Sequence, residues 1–80
     1  MLSFHIENEG RAIQICCDHD GMAILLEKLA TLVRAPSHVH LLTPSCGGKE
    51  ISETGPFGDP SIPEVIIDFS PDYTRRSPDR

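Results

Sequence analysis

Residues 18–36 read DHDGMAILLEKLATLVRAP, and the rest of the chain must be arranged around this stretch. Met22, Leu25, Leu26, Leu29, Leu32 and Val33 recur at three- and four-residue spacing. That spacing predicts one apolar face of a helix. Glu27, Lys28, Thr31 and Arg34 fall towards the other face. Asp18 or Asp20 can cap the free N–H groups of the first turn. Ala35-Pro36 ends the helix, because the proline ring disfavours helical backbone angles at the residue before it.

A single amphipathic helix needs an apolar surface to cover, and the flanking sequence supplies one. Upstream, Leu2, Phe4 and Ile6 alternate with Ser3, His5 and Glu7. After the turn Asn8-Glu9-Gly10, Ile13, Ile15 and Cys17 alternate with Ala12, Gln14 and Cys16. Two runs of period two joined by a short glycine-containing turn predict a hairpin. Downstream, Val39 and Leu41 alternate with His38, His40 and Leu42, and a last strand places Val65, Ile67 and Phe69 opposite Ile66 and Asp68. Between them lies a long loop, residues 44–63, with four prolines and four glycines, in which Ile51 marks a short extended piece over 49–52. The predicted class is α+β. About four strands in the order β-β-α-β-β form a two-layer structure, with one helix packed on one sheet face. Residues 1–69 are expected to form a single domain, followed by a polar, proline-containing tail over 70–80.

The other sheet face is then expected to be open. It carries His5, Glu7, Gln14, Cys16, His38, His40, Leu42, Glu64, Ile66 and Asp68. Polar groups around a few apolar ones suit a docking patch. An exposed strand edge is also a route to a homodimer.

Composition narrows the function classes. The chain has 80 residues, 39% hydrophobic and 24% charged, so it is long enough for one small soluble domain. No apolar run approaches the ~20 residues that span a bilayer, so no membrane partner is expected. No basic start leads into an apolar run, and three unframed cysteines fit a reducing compartment, so cytoplasmic residence is expected. Net charge is −5; residues 1–69 hold four Lys/Arg against ten Asp/Glu. Such a body repels phosphate backbones, which argues against nucleic acid, and attracts a basic protein.

Two chemical constellations are worth weighing. His38 and His40 lie two apart on a strand and project to the same side. With His5 and Cys46 they are the candidate ligands of a small metal- or ligand-binding module, the alternative reading of this chain. Cys46-Gly47-Gly48 resembles a nucleophile beside flexible backbone, but a working cysteine needs a base and an oxyanion hole. No paired-carboxylate or Ser/His/Asp arrangement stands out, so no enzyme and no cofactor are expected.

The most distinctive stretch is His40-Leu41-Leu42-Thr43-Pro44-Ser45-Cys46-Gly47-Gly48-Lys49-Glu50-Ile51-Ser52-Glu53. It resembles the H-x-h-L-T-P-x-W-G-G-x-E-L-[ST] motif of the bacterial polymorphic-toxin immunity proteins, in particular immunity protein family thirty-two. The order of hairpin, helix, motif, variable loop and closing strand also matches, over residues 2–69. One position departs: Cys46 stands where the family motif has tryptophan. That exchange removes a large apolar anchor from the loop. The resemblance implies a protein that neutralises a cognate toxin by stoichiometric binding, and the acidic body would suit a basic nuclease. On that reading the expected contacts are the acidic and loop residues Glu50, Glu53, Asp59, Glu64 and Asp68, with His38 and His40 of the open face.

Overall fold

The structure, a computed structural model, describes residues 1–72, so most of the predicted tail (73–80) lies outside the described residues. The predicted order is present: β1 (Leu2–Glu7), β2 (Ala12–Cys17), α1 (His19–Arg34), β3 (His38–Leu42) and β4 (Glu64–Asp68). Short 3-10 turns lie at Asn8–Gly10 and Pro44–Cys46. Among the described residues the fold is α+β, with four strands and one helix.

The strands form two antiparallel hairpins rather than one continuous sheet. β1 pairs with β2 from Leu2–Cys17 to Glu7–Ala12, and β3 with β4 from His38–Asp68 to Leu42–Glu64. The reason is visible at the free edge of β1, where the long loop takes the bonds a neighbouring strand would have made. The Leu2 carbonyl accepts from Ser52 N–H and the Phe4 carbonyl from Ile62 N–H, both at 2.7 Å. Phe4 N–H donates to Ser61 Oγ at 2.9 Å. Ile51 N–H in turn donates to the Leu42 carbonyl at 3.1 Å. The predicted extended piece at 49–52 is therefore the bridge between the hairpins. The Leu2 and Phe4 backbone groups bonded here belong to buried residues and would otherwise be stranded away from water.

The helix begins and ends where its sequence requires. Asp18 is the N-cap and accepts from Gly21 N–H at 2.9 Å. The same carboxylate pairs with the Met1 ammonium, and that pairing is the main reason its pKa is held low. A Cβ at position 21 would fall 1.8 Å from the Met1 carbonyl oxygen, so only glycine lets the N-terminal residue pass over the first turn.

The core centres on Leu2, Phe4, Leu41 and Ile51, with Cys17, Ile24, Leu25, Ile62, Val65 and Ile67 against it. Three expectations change here. First, α1 turns inward through Gly21, Ile24, Leu25, Lys28 and Leu32, while Met22, Leu26, Leu29 and Val33 are exposed. Second, only the Leu2–Phe4 end of the first hairpin is buried; Ile6, Ile13 and Ile15, on the same face, are exposed. Third, the opposite face of that hairpin is not open. Ser3 and His5 are buried. A Cβ on Gly55 would lie only 2.5 Å from His5 Nε2, which shows how closely the loop backbone lies over the ring. The third has a visible cause: the loop returns to β1 and covers part of both its edge and its outer face.

Candidate functional site

The motif at 40–53 folds into a tight loop crossed by hydrogen bonds. Thr43 N–H donates to the Pro63 carbonyl, and the Thr43 carbonyl accepts from Cys46 N–H at 2.9 Å and Gly48 N–H at 3.0 Å. Gly47 has φ +89°, a left-handed conformation that disfavours any residue with a Cβ. A Cβ on Gly48 would meet Leu42 Cβ at 2.4 Å and the Leu42 carbonyl oxygen at 2.7 Å, so the second glycine is needed for close approach.

The two glutamates of the motif close this loop. Glu50 Oε1 accepts from Leu42 N–H at 3.1 Å. Burial opposes ionisation of the Glu50 carboxyl. The N–H groups of Leu42, Glu50 and Lys49, with the charge of Lys28, outweigh it and hold the pKa below the ordinary value. Glu53 Oε2 accepts from both Ser45 N–H, at 2.6 Å, and Ser45 Oγ, at 2.7 Å. Ile51, between them, is buried in the core. Cys46 is exposed, so it gives this loop no buried anchor.

Four of the expected contact residues do come together. On the outer face of the β3–β4 hairpin, His38 opposes Asp68, His40 opposes Ile66, and Leu42 opposes Glu64. Alternation puts all six side chains on one face. His40 Nδ1 lies 2.9 Å from Glu64 Oε2, across one diagonal of the ladder. The His38 and His40 rings meet edge to face, with centroids 5.1 Å apart. At the middle sits Ile66, 56% exposed. Alternation in the sequence already places Ile66 on the outward row, between Val65 and Ile67.

The remaining candidates lie elsewhere. Asp59 lines a shallow depression on the first hairpin with His5, Gln14, Cys16 and Phe57. His5 is buried, with Nε2 2.9 Å from Ser3 Oγ, and does not join His38 and His40 on their exposed face. The four candidate metal ligands, His5, His38, His40 and Cys46, are thus not assembled. Among the described residues no group of three His, Cys, Asp or Glu side chains is placed to hold a metal ion. Nor is any described helix long and apolar enough to cross a membrane.

The geometry supports recognition by a surface. An exposed apolar side chain is flanked by two imidazoles and two carboxylates on a paired ladder. Compared with protein-family models, with curated proteins and with solved structures, the chain finds no match.

Proposed function

We propose that this chain is an immunity-type protein that binds a cognate toxin stoichiometrically, through the outer face of the β3–β4 hairpin. The observation that carries the reading is Ile66, exposed at the centre of His38, His40, Glu64 and Asp68. An apolar centre with a polar rim is the usual anatomy of a specific interface. Glu64 and Asp68, on a body with ten Asp/Glu against four Lys/Arg over residues 1–69, favour a basic partner such as a nuclease. A field of that sign raises the rate of encounter and weakens with salt.

The assignment divides the expected contacts by role. His38, His40, Glu64, Asp68 and Ile66 contact the toxin. Glu50 and Glu53 act by holding the loop that bridges the two hairpins. The protein works in the cytoplasm, needs no cofactor and performs no reaction.

Co-expression with each toxin encoded beside the gene tests this. Wild-type protein should protect cells from one of them and co-purify with it at a fixed ratio. Ile66→Asp should abolish protection without lowering the yield of folded protein. Failure to protect against every neighbouring toxin, or full protection by Ile66→Asp, contradicts the proposal.

A further inference from the structure

The outer edge of β2 is bare. β2 pairs with β1 on one side, and among the described residues nothing is hydrogen-bonded along the other. The bonds on β1 show which groups this leaves open. Leu2 and Phe4 turn their backbone groups to the loop, so the alternation of an antiparallel ladder turns those of Ser3, His5 and Glu7 to Cys16, Gln14 and Ala12. The N–H and C=O groups of Ile13, Ile15 and Cys17 therefore point away from β1. Strand edges are commonly guarded by a charge, a proline or a bulge. β2, Ala12–Cys17, has no charge and no proline, and its pairing with β1 is unbroken by a bulge. The free edge of β4, by contrast, carries Glu64 and Asp68 at its two ends. Beside the bare edge, Ile6, Ile13 and Ile15 share one face and are 62%, 69% and 49% exposed.

We infer that two copies of this chain join edge to edge, β2 against β2, antiparallel across a two-fold axis at Gln14. With Gln14 opposite Gln14 of the second copy, Ile13 falls opposite Ile15. These two residues then exchange both backbone hydrogen bonds, and their side chains gather with Ile6 into one cross-strand cluster. The residues that hold the open N–H and C=O groups are thus the ones that hold the exposed apolar side chains, and a single register serves both. An axis at Ile15 would instead set Ala12 against Asp18 and Ile13 against Cys17.

Charge favours a second copy and this direction. Arg11, just before β2, is the only Lys or Arg in residues 1–27, and Asp18 follows the strand's other end. In the Gln14 register Arg11 falls opposite Cys17 of the second copy. It lies there beside the depression lined by Cys17, Asp18, His19 and Met22. The two-fold axis repeats this at both ends. An in-register parallel pair would set Arg11 by Arg11 and Asp18 by Asp18. Between the ends the strand is uncharged, so the acidic bodies meet only across neutral residues. Pairing over six residues lies at or below the ~1,200 Å² of the smaller specific interfaces. The dimer is therefore weak, about 10–100 µM, and isologous. It does not rest on the proposed toxin-binding role, because that face belongs to the other hairpin.

Sedimentation equilibrium on the full chain, from about 1 µM to about 500 µM, tests the inference. Wild type should pass from monomer to dimer within that range. Ile13→Lys should be monomeric throughout, with unchanged far-ultraviolet circular dichroism. A chemically synthesised chain methylated on the Ile15 backbone nitrogen should also be monomeric and folded, because that N–H serves the open edge and not the β1–β2 ladder. The register has its own test. Residues 12 and 16 of opposite copies form a non-hydrogen-bonded pair, about 4.5 Å between Cα atoms, which a disulfide can span. Mild oxidation of Ala12→Cys with Cys46→Ser should link the introduced thiol to Cys16 of the second copy, as peptide mapping would show. A wild type that stays monomeric at every concentration overturns the inference. So does a dimer that survives Ile15 N-methylation, or an oxidised dimer in which the introduced thiol is not joined to Cys16.

Discussion

Replacing Glu50 with alanine should destabilise the fold although the residue sits in a surface loop. Its carboxylate accepts from Leu42 N–H at 3.1 Å, at the last residue of β3. It also lies 3.5 Å from Lys49 N. Next to it in sequence is Ile51, 1% exposed, whose N–H bonds the Leu42 carbonyl. Removing the carboxylate leaves the Leu42 donor without its partner at the bridge between the hairpins. A hydrogen bond to a charged group contributes about 1.5–3 kcal/mol. In a domain of this size that loss lowers the melting temperature by about 6 to 24 °C.

The pH dependence gives the same residue a second signature. Its folded pKa lies below the unfolded value of 4.5. The contribution is thus complete above that pH and is lost as pH falls through the folded value. Urea denaturation followed by circular dichroism at neutral pH and between about pH 5 and pH 3 measures both. Glu50→Gln keeps an acceptor without the charge. It should lose less stability than Glu50→Ala at neutral pH, and it should flatten the acid limb. Glu64→Ala, on the exposed face, should change stability by less than about 0.5 kcal/mol. A Glu50→Ala variant as stable as wild type, or a Glu50→Gln variant with an unchanged acid limb, refutes the assignment of Glu50 to the loop.

Three further outcomes follow from local geometry. Gly48→Ala should cost about 1–3 kcal/mol in urea denaturation, since its Cβ would meet Leu42 Cβ at 2.4 Å. Glu9→Asn should stabilise by about 0.5–1 kcal/mol in the same assay, because Glu9 has φ +56° and asparagine adopts that region at less cost. In the native protein, a thiol reagent should modify exposed Cys46 before half-buried Cys16 and Cys17, as peptide mapping would show.

Much of the fold was legible because each element carries its own local signal. The alternation at 2–7 and 12–17 gave the first hairpin, and Asp18 and Ala35-Pro36 bracket the helix as capping chemistry requires. Alternation says which residues share a face and is silent on what covers that face. Ser3 and His5 read as outward, and a loop fifty residues downstream buries them. The helix face was ambiguous for a different reason. With Leu25 and Leu32 on one stripe and Leu26, Leu29 and Val33 on the next, the apolar arc is too wide for spacing to locate its centre.

The candidate site divided along similar lines. His38, His40, Glu64 and Asp68 were readable as one face because strand pairing follows alternation. Glu50 and Glu53 looked like free acidic contacts, and only the turn built on Gly47 and Gly48 brings them back to Leu42 N–H and Ser45. A glutamate closely following a Gly-Gly turn is the signal that could have suggested this, since such a turn leaves backbone N–H groups in need of an acceptor.

Titration calorimetry of the toxin proposed as partner against wild type, Ile66→Asp and Ile13→Asp puts the proposed docking face to its most direct trial. Both isoleucines are exposed, on different hairpins. The β3–β4 assignment predicts that Ile66→Asp loses binding by at least about a hundredfold, while Ile13→Asp binds as wild type does. Equal affinities for wild type and Ile66→Asp, or a loss confined to Ile13→Asp, would place the partner elsewhere and contradict it.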